Sequence, residues 1–288
     1  MRAPLMSTSS VNGSGGDGLF GPRSVAWRVI GHPVSLIGGL RSLIIQSLHP
    51  LAMAGVAQHS DYRRRPLDRL RRTARYVAAT TFGDTAQAEA AAAHVRRMHR
   101  KVRGTDPVTG KPYSADDPDT QLWVHCVEWH SFLAAYRAYG GRLAGADEDR
   151  YVAEGVRVAA LLGVPAGTVP ASVAEMREYF ERVRPQLCIS EPAREAIDFV
   201  INPPLTRDLL PYQLPLRIAS RAAVATIPRH LRELAGLDGP RAIDAVTVAA
   251  VRPAAAALTL PLLRDAPALF LRTQEFRAAA GAADARAA

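Results

Sequence analysis

The stretch Val95-Arg96-Arg97-Met98-His99-Arg100-Lys101-Val102-Arg103-Gly104 sets one imidazole at the edge of a strongly basic helix. Stepping ~100° per residue from Ala86, the side chains of Ala91, Val95, Met98 and Val102 share a sector about 60° wide, and His99 lies roughly 40° beyond it. Arg96, Arg97, Arg100 and Lys101 turn to the other side, and His94 sits nearer that charged margin. A buried imidazole in such a place can bind a metal or a haem iron through a ring nitrogen. A hydrogen-bonded core histidine fits the same position.

A second group, Arg69-Leu70-Arg71-Arg72-Thr73-Ala74-Arg75-Tyr76, brings cations and hydroxyls together. Arg69, Arg72, Thr73 and Tyr76 fall within about 100° of one another, beside an apolar sector made by Leu70, Ala74 and Val77. Cations at the rim of a core suit carboxylates, such as haem propionates, or the polarisation of bound oxygen. A solvated basic face is the plainer alternative.

The segment His125-Cys126-Val127-Glu128-Trp129-His130 invites a metal reading that helical geometry rejects. His125 and His130 point roughly 140° apart, so one ion cannot take both from a regular helix. His125 shares its stripe with Leu122, Trp129, Phe132, Leu133 and Tyr136, which buries it beside aromatic rings on a helix able to face His99. There is no GxSxG elbow, no phosphate-binding loop and no GxGxxG after a strand.

The elements that must position these groups are helical. The 288 residues are rich in Ala, Leu and Arg and lack convincing period-2 runs, which predicts an all-α fold in one domain. Helices are expected over about Leu36–Gln58, Leu67–Thr81, a stretch ending near Val102, Thr120–Tyr139, Asp147–Leu162 and Ser172–Arg184. Gly83-Asp84 reads as a stop followed by an N-cap, Thr105–Asp119 as a polar loop, and Gly38-Gly39 as a helix bend. Residues 1–22 read as a disordered leader, with the folded domain over 23–288. Ala242–Leu271, interrupted by Pro253, Pro261 and Pro267, reads as short amphipathic helices. Its Leu258, Leu260, Leu262, Leu263, Leu269 and Phe270 suit peripheral contact with a membrane.

The net charge of +9 is spread over many faces and comes with no recognition motif, so no nucleic-acid partner is expected. Two isolated cysteines, Cys126 and Cys188, and the lack of a continuous apolar signal segment indicate a reducing, cytoplasmic setting. The long apolar run Val34–Val56 carries Arg41, Gln46, His49 and Pro50, which are costly in lipid, and is expected to be a core helix.

In order along the chain stand Gln46-x-x-His49-Pro50, Gly55-Val56-x-x-His59-Ser60, Arg69-Leu70-x-Arg72-Thr73, Phe82-Gly83, Met98-His99-x-x-Val102-x-Gly104, Tyr113-x-Ala115-x-Asp117-Pro118 and Trp123-Val124-His125. This series, over approximately Trp27 to Val200, resembles the DUF2236 family, which includes the bacterial latex-clearing proteins, or rubber oxygenases, and the fungal MpaB-type oxygenases. The resemblance implies a globin-like helical bundle that holds haem b, with His99 as the axial ligand to iron. It implies that Arg69 and Thr73 lie near the haem, with Met98 and His125 as further cofactor contacts. Arg72 stands where the rubber oxygenases carry a lysine, which keeps the charge and changes the donor geometry.

The activity so implied is a haem-dependent oxygenase that uses dioxygen, and an electron donor where needed, on a small apolar isoprenoid- or lipid-like substrate. Oxidative cleavage of a C=C bond would follow the latex-clearing precedent, with Arg69, Arg72 and Thr73 as the catalytic polar groups. Two other classes suit the same residues: a haem peroxidase or oxygen sensor, and a haem-free helical protein that carries lipid or docks on a membrane.

Overall fold

Caps and prolines decide where the helices of this chain begin. In a computed structural model, residues 18–205 and 209–260 are described. Ser24 accepts from the Trp27 N–H to start α1 (Val25–Ile30), and Pro66 opens α4 (Pro66–Phe82). Asp84 caps α5 (Thr85–His99), as the Gly83-Asp84 pair predicts, and closes a reciprocal capping box with Gln87. Asp117 caps α6 (Pro118–Ala135), which continues into a π-helical turn at Tyr136–Gly140. Then come α7 (Gly145–Leu161), α8 (Val173–Val183), α9 (Glu191–Ile201), α10 (Gln213–Ala225), α11 (Arg229–Ala235) and α12 (Arg241–Ala257). Among the described residues the protein is all-α apart from one small hairpin.

Four expectations are corrected. The helix expected over 36–58 is two, α2 (Ser35–Gln46) and α3 (Pro50–His59). The residue before a proline resists helical geometry, so His49 turns extended, and its Nδ1 caps the new helix by accepting from the Ala52 N–H at 3.4 Å. The leader ends earlier than expected, because Phe20 is buried in the core against the ring of Trp129. The polar loop contains an antiparallel pair, β1 (Arg103–Thr105) with β2 (Pro112–Ser114), too short to show an alternating pattern. Finally, Pro253 does not break α12, which runs through it. Residues 1–17 of the expected leader, and Leu262, Leu263, Leu269 and Phe270 of the expected membrane-contacting segment, lie outside the described residues.

The centre of the molecule is the pair α2 and α6, the most closely packed helices of the chain. Gly38 is a contact point rather than a bend: a Cβ there would lie 2.8 Å from Phe132 Cδ1 and 3.0 Å from the Ser131 carbonyl oxygen. The pair is also tied by hydrogen bonds, from Trp123 Nε1 to the Gln46 carbonyl and from Gln46 Nε2 to the Val124 carbonyl. α7 is joined to α6 through Trp129 and Tyr151, whose rings stack 5.1 Å apart while each donates to the other's carbonyl. No helix among the described residues is long and apolar enough to cross a membrane.

The β1–β2 hairpin is clamped onto α3 by several of the motif residues. Gly104 faces Tyr113, and a Cβ on Gly104 would sit 2.8 Å from the Tyr113 hydroxyl. That hydroxyl donates to Gln58 Oε1 at 2.8 Å and lies 3.0 Å from His59 Nε2. Gly104 is thus needed for a close approach, and His59 holds the hairpin.

Candidate functional site

α4 and α5 fold back on each other across the two-residue connection Gly83-Asp84 and pack tightly together. This helical pair attaches to the rest of the molecule through α1 and α7, and Trp27 Nε1 donates to the Thr81 carbonyl at 2.6 Å. Neither α4 nor α5 packs its backbone closely on α6. α4 and α5 thus face α6 across a seam, the slot of the candidate site, where Glu128 of α6 acts on Tyr76 of α4.

The inward stripe of α5 is Ala88, Ala92, Val95 and His99, at i, i+4, i+7 and i+11. The helix is therefore rotated from the sector expected around Met98, and the correction favours the histidine. Met98 is 50% exposed and does not face the slot, whereas His99 is half-buried at the end of the inward stripe. Its Nδ1 is enclosed by protein without a hydrogen-bond partner. Burial lowers the His99 pKa, and Asp116 opposes that shift. The imidazole is consequently neutral near pH 7, with a lone pair available for a ligand.

On α4, Arg69, Thr73 and Tyr76 form a stripe at i, i+4 and i+7. Arg69 and His99 occupy the ends of their helices farthest from the Gly83-Asp84 connection. Arg69 is half-buried, and its pKa is lowered by burial. Its guanidinium lies 5.7 Å from the Tyr62 ring centroid and forms no ion pair with a carboxylate among the described residues. Thr73 is exposed, and the Tyr76 hydroxyl is enclosed without a partner. Arg72 faces outward, exposed, and its Nη2 donates to Asp61 Oδ1 at 2.8 Å.

α6 answers with its own polar stripe, Gln121, His125 and Glu128. Gln121 Oε1 is enclosed without a partner, while its Nε2 donates to Asp116 Oδ1 at 3.5 Å. Burial holds Glu128 protonated up to about pH 7, because its pKa rises to about 7, and its charge acts on Tyr76. His125 is buried and stacks on Trp129 at 5.4 Å, and desolvation lowers its pKa to about 4. The electrostatic neighbours close a circuit: His99 to Asp116, Asp116 to Gln121, along α6 to Glu128, and from Glu128 across to Tyr76 on α4.

Buried polar atoms left unpaired are expensive, about 1–3 kcal/mol each. The unpartnered atoms of His99, Tyr76 and Gln121 occur on all three helices that bound the slot. Together with the unpaired Arg69 they suit a bound group that is apolar over most of its area and carries an anionic edge and an acceptor for one imidazole. Among the described residues no three His, Cys, Asp or Glu side chains converge on a bare metal ion. A metal in this slot would therefore be carried in a larger cofactor held by His99.

Glu128, Gln121 and Asp116 belong to this arrangement and were missed as a group by the sequence reading. The available signal was the i, i+4, i+7 spacing of Gln121, His125 and Glu128 on a helix whose other buried positions are largely apolar.

The family described as "ER-bound oxygenase mpaB/B'/Rubber oxygenase, catalytic domain" matches the chain over residues 27–258. The match extends the resemblance seen over Trp27–Val200 through α12. Comparisons with curated proteins and with solved structures found no match.

Proposed function

Because this chain belongs to the mpaB/rubber oxygenase catalytic-domain family, whose domain is that of an oxygenase, we propose that it is a haem b-dependent oxygenase with a small apolar, isoprenoid- or lipid-like substrate. The observation that supports this reading best is the unpartnered Nδ1 of His99 among the unpaired polar groups that surround the slot. When bound, haem supplies a redox-active iron that activates dioxygen, here for oxidative cleavage of a C=C bond.

The chain's own residues would bind and orient. His99, kept neutral by burial, would hold the iron through a ring nitrogen. Arg69, a half-buried cation in no ion pair with a carboxylate among the described residues, would take an anionic edge of the cofactor, with Thr73 one turn along the same stripe. Ala88, Ala92, Ala74 and Val77 offer apolar surface that excludes water. Glu128, protonated near neutral pH, can donate a hydrogen bond or release a proton towards the slot. Arg72 would have to leave Asp61 before it could contribute. His125, stacked on Trp129, would shape the wall of the slot rather than hold the cofactor.

The test is the absorption spectrum of protein produced with haem supplied, beside that of His99→Ala. Wild-type protein should show the Soret band of histidine-ligated haem, and the variant should lose or weaken it. A variant that binds haem with an unchanged spectrum removes the ligand assignment, and wild-type protein that takes up no haem removes the proposal. Oxygen consumption with squalene-like and fatty-acid alkenes then tests the substrate class.

A further inference from the structure

The opposite face of α6 carries a separate feature. At 100° per residue, Trp123, Val127 and His130 point about 180° away from Gln121, His125 and Glu128. They line a cavity of about 200 Å³ together with Arg41, Met176 and Phe180. Arg41 is 1% exposed and lies in the middle of α2.

Arg41 has partners but no counter-charge. Its Nη1 donates to Ser131 Oγ at 2.7 Å and to His130 Nδ1 at 3.3 Å, and its Nε donates to the Thr226 carbonyl at 3.4 Å. Its Nη2 forms no hydrogen bond, and no carboxylate among the described residues pairs with the guanidinium. Burial alone pushes its pKa down to about 9. The charges of Arg41 and Arg137 also help hold His130 neutral, and the acid of the cavity lining, Glu181, pairs with Arg184 rather than with Arg41. A buried, unpaired cation is one of the costliest groups a protein can carry, and it is relieved by a bound anion. Trp123, Val127, Met176 and Phe180 form an apolar part of the wall that suits carbon, and Arg137, Arg177, Glu181 and Arg184 also line the cavity.

We propose that this cavity binds a small apolar carboxylic acid, with the carboxylate on Arg41 and the hydrocarbon against Trp123, Val127 and Phe180. An apolar cavity of about 150 Å³ holds a benzene ring, so this one suits an acid the size of benzoate or a short branched fatty acid. The fixed fork of a guanidinium matches a carboxylate, and the other Arg41 nitrogens are already braced by Ser131, His130 and Thr226. This site lies across α6 from the slot assigned to haem and does not depend on that assignment.

Titration calorimetry on the full chain tests this with three probes: benzoate, benzyl alcohol and inorganic phosphate. Benzoate should bind saturably at one site, and benzyl alcohol and phosphate should each bind about tenfold more weakly or worse, because each lacks one half of the recognition. Arg41→Met should weaken benzoate about tenfold or more, and Val127→Phe, which fills the cavity while keeping the cation, should also abolish saturable binding. Val127→Phe keeps the test decisive if Arg41→Met fails to fold. Absence of saturable benzoate binding to wild-type protein overturns the proposal, as does equal binding of benzoate and benzyl alcohol, or of benzoate and phosphate. Unchanged binding in the folded variants overturns it too. His99→Ala should bind benzoate as the wild type does, and loss of binding there would place the acid in the other slot and overturn the assignment to Arg41.

Discussion

Glu128 on α6 and Tyr76 on α4 influence each other across the slot without a hydrogen bond between them. The Tyr76 hydroxyl is enclosed by protein without a hydrogen-bond partner. Desolvation raises the pKa of both groups, and the carboxylate adds to the shift of the phenol. This also makes the slot a place where pH acts on stability.

The Glu128 carboxyl has its pKa raised from 4.5 to about 7 in the folded protein. The folded state therefore binds this proton more tightly than the unfolded chain, and stability falls as pH rises through that interval. Below it the carboxyl is protonated in both states, and above it the full cost is present. Glu128→Gln should stabilise the haem-free protein at pH 8 by on the order of 2–3 kcal/mol. Urea unfolding between pH 5 and pH 8 checks this, and an unchanged pH slope in the variant would refute it.

Arg69 and Arg72 should separate in their effects on haem. Arg69→Gln removes an unpaired half-buried cation and should weaken haem binding about tenfold or more. Arg72→Gln removes an exposed partner of Asp61 and should change it less than about twofold. Haem transfer to apomyoglobin measures both, and equal losses would show that Arg72 turns into the slot.

Met98 should prove dispensable. With half its surface exposed beside an inward His99, Met98→Ala should alter stability by less than about 0.5 kcal/mol and leave the haem spectrum unchanged. A shifted spectrum in that variant would place the thioether against the cofactor.

Two adjacent glycines should respond differently. Gly38→Ala should destabilise by about 1–3 kcal/mol, because the added methyl meets Phe132 and the Ser131 carbonyl at the tightest helix contact. Gly39→Ala has nothing within 4 Å of its new Cβ and should be neutral or stabilising by up to about 1 kcal/mol. Thermal or urea midpoints of the two variants provide the comparison.

Much of this protein was legible along the chain because helices are local objects. Periodicity and the Gly83-Asp84 stop and cap mark most helices, and the motif series around Arg69, His99 and His125 marks the family. What remained hidden depends on neighbours distant in sequence. The α5 periodicity admits several inward faces, and only the surrounding helices select the one with His99 inside and Met98 outside. Three-residue strands carry too little pattern to announce themselves, and Gly104 acquires its meaning only when Tyr113 lies over it.

The residues of this sequence by themselves determined an all-α chain and marked the histidine proposed as the haem ligand, since side-chain spacing and capping act within a few residues. Tertiary structure decided the rest: that α4 and α5 stand off from α6, that Gln121 and Glu128 join His99 around one slot, and that Arg41 is a buried cation without a counter-charge. Those are properties of packing and pairing, and they come into being only when helices far apart in the chain share one interior.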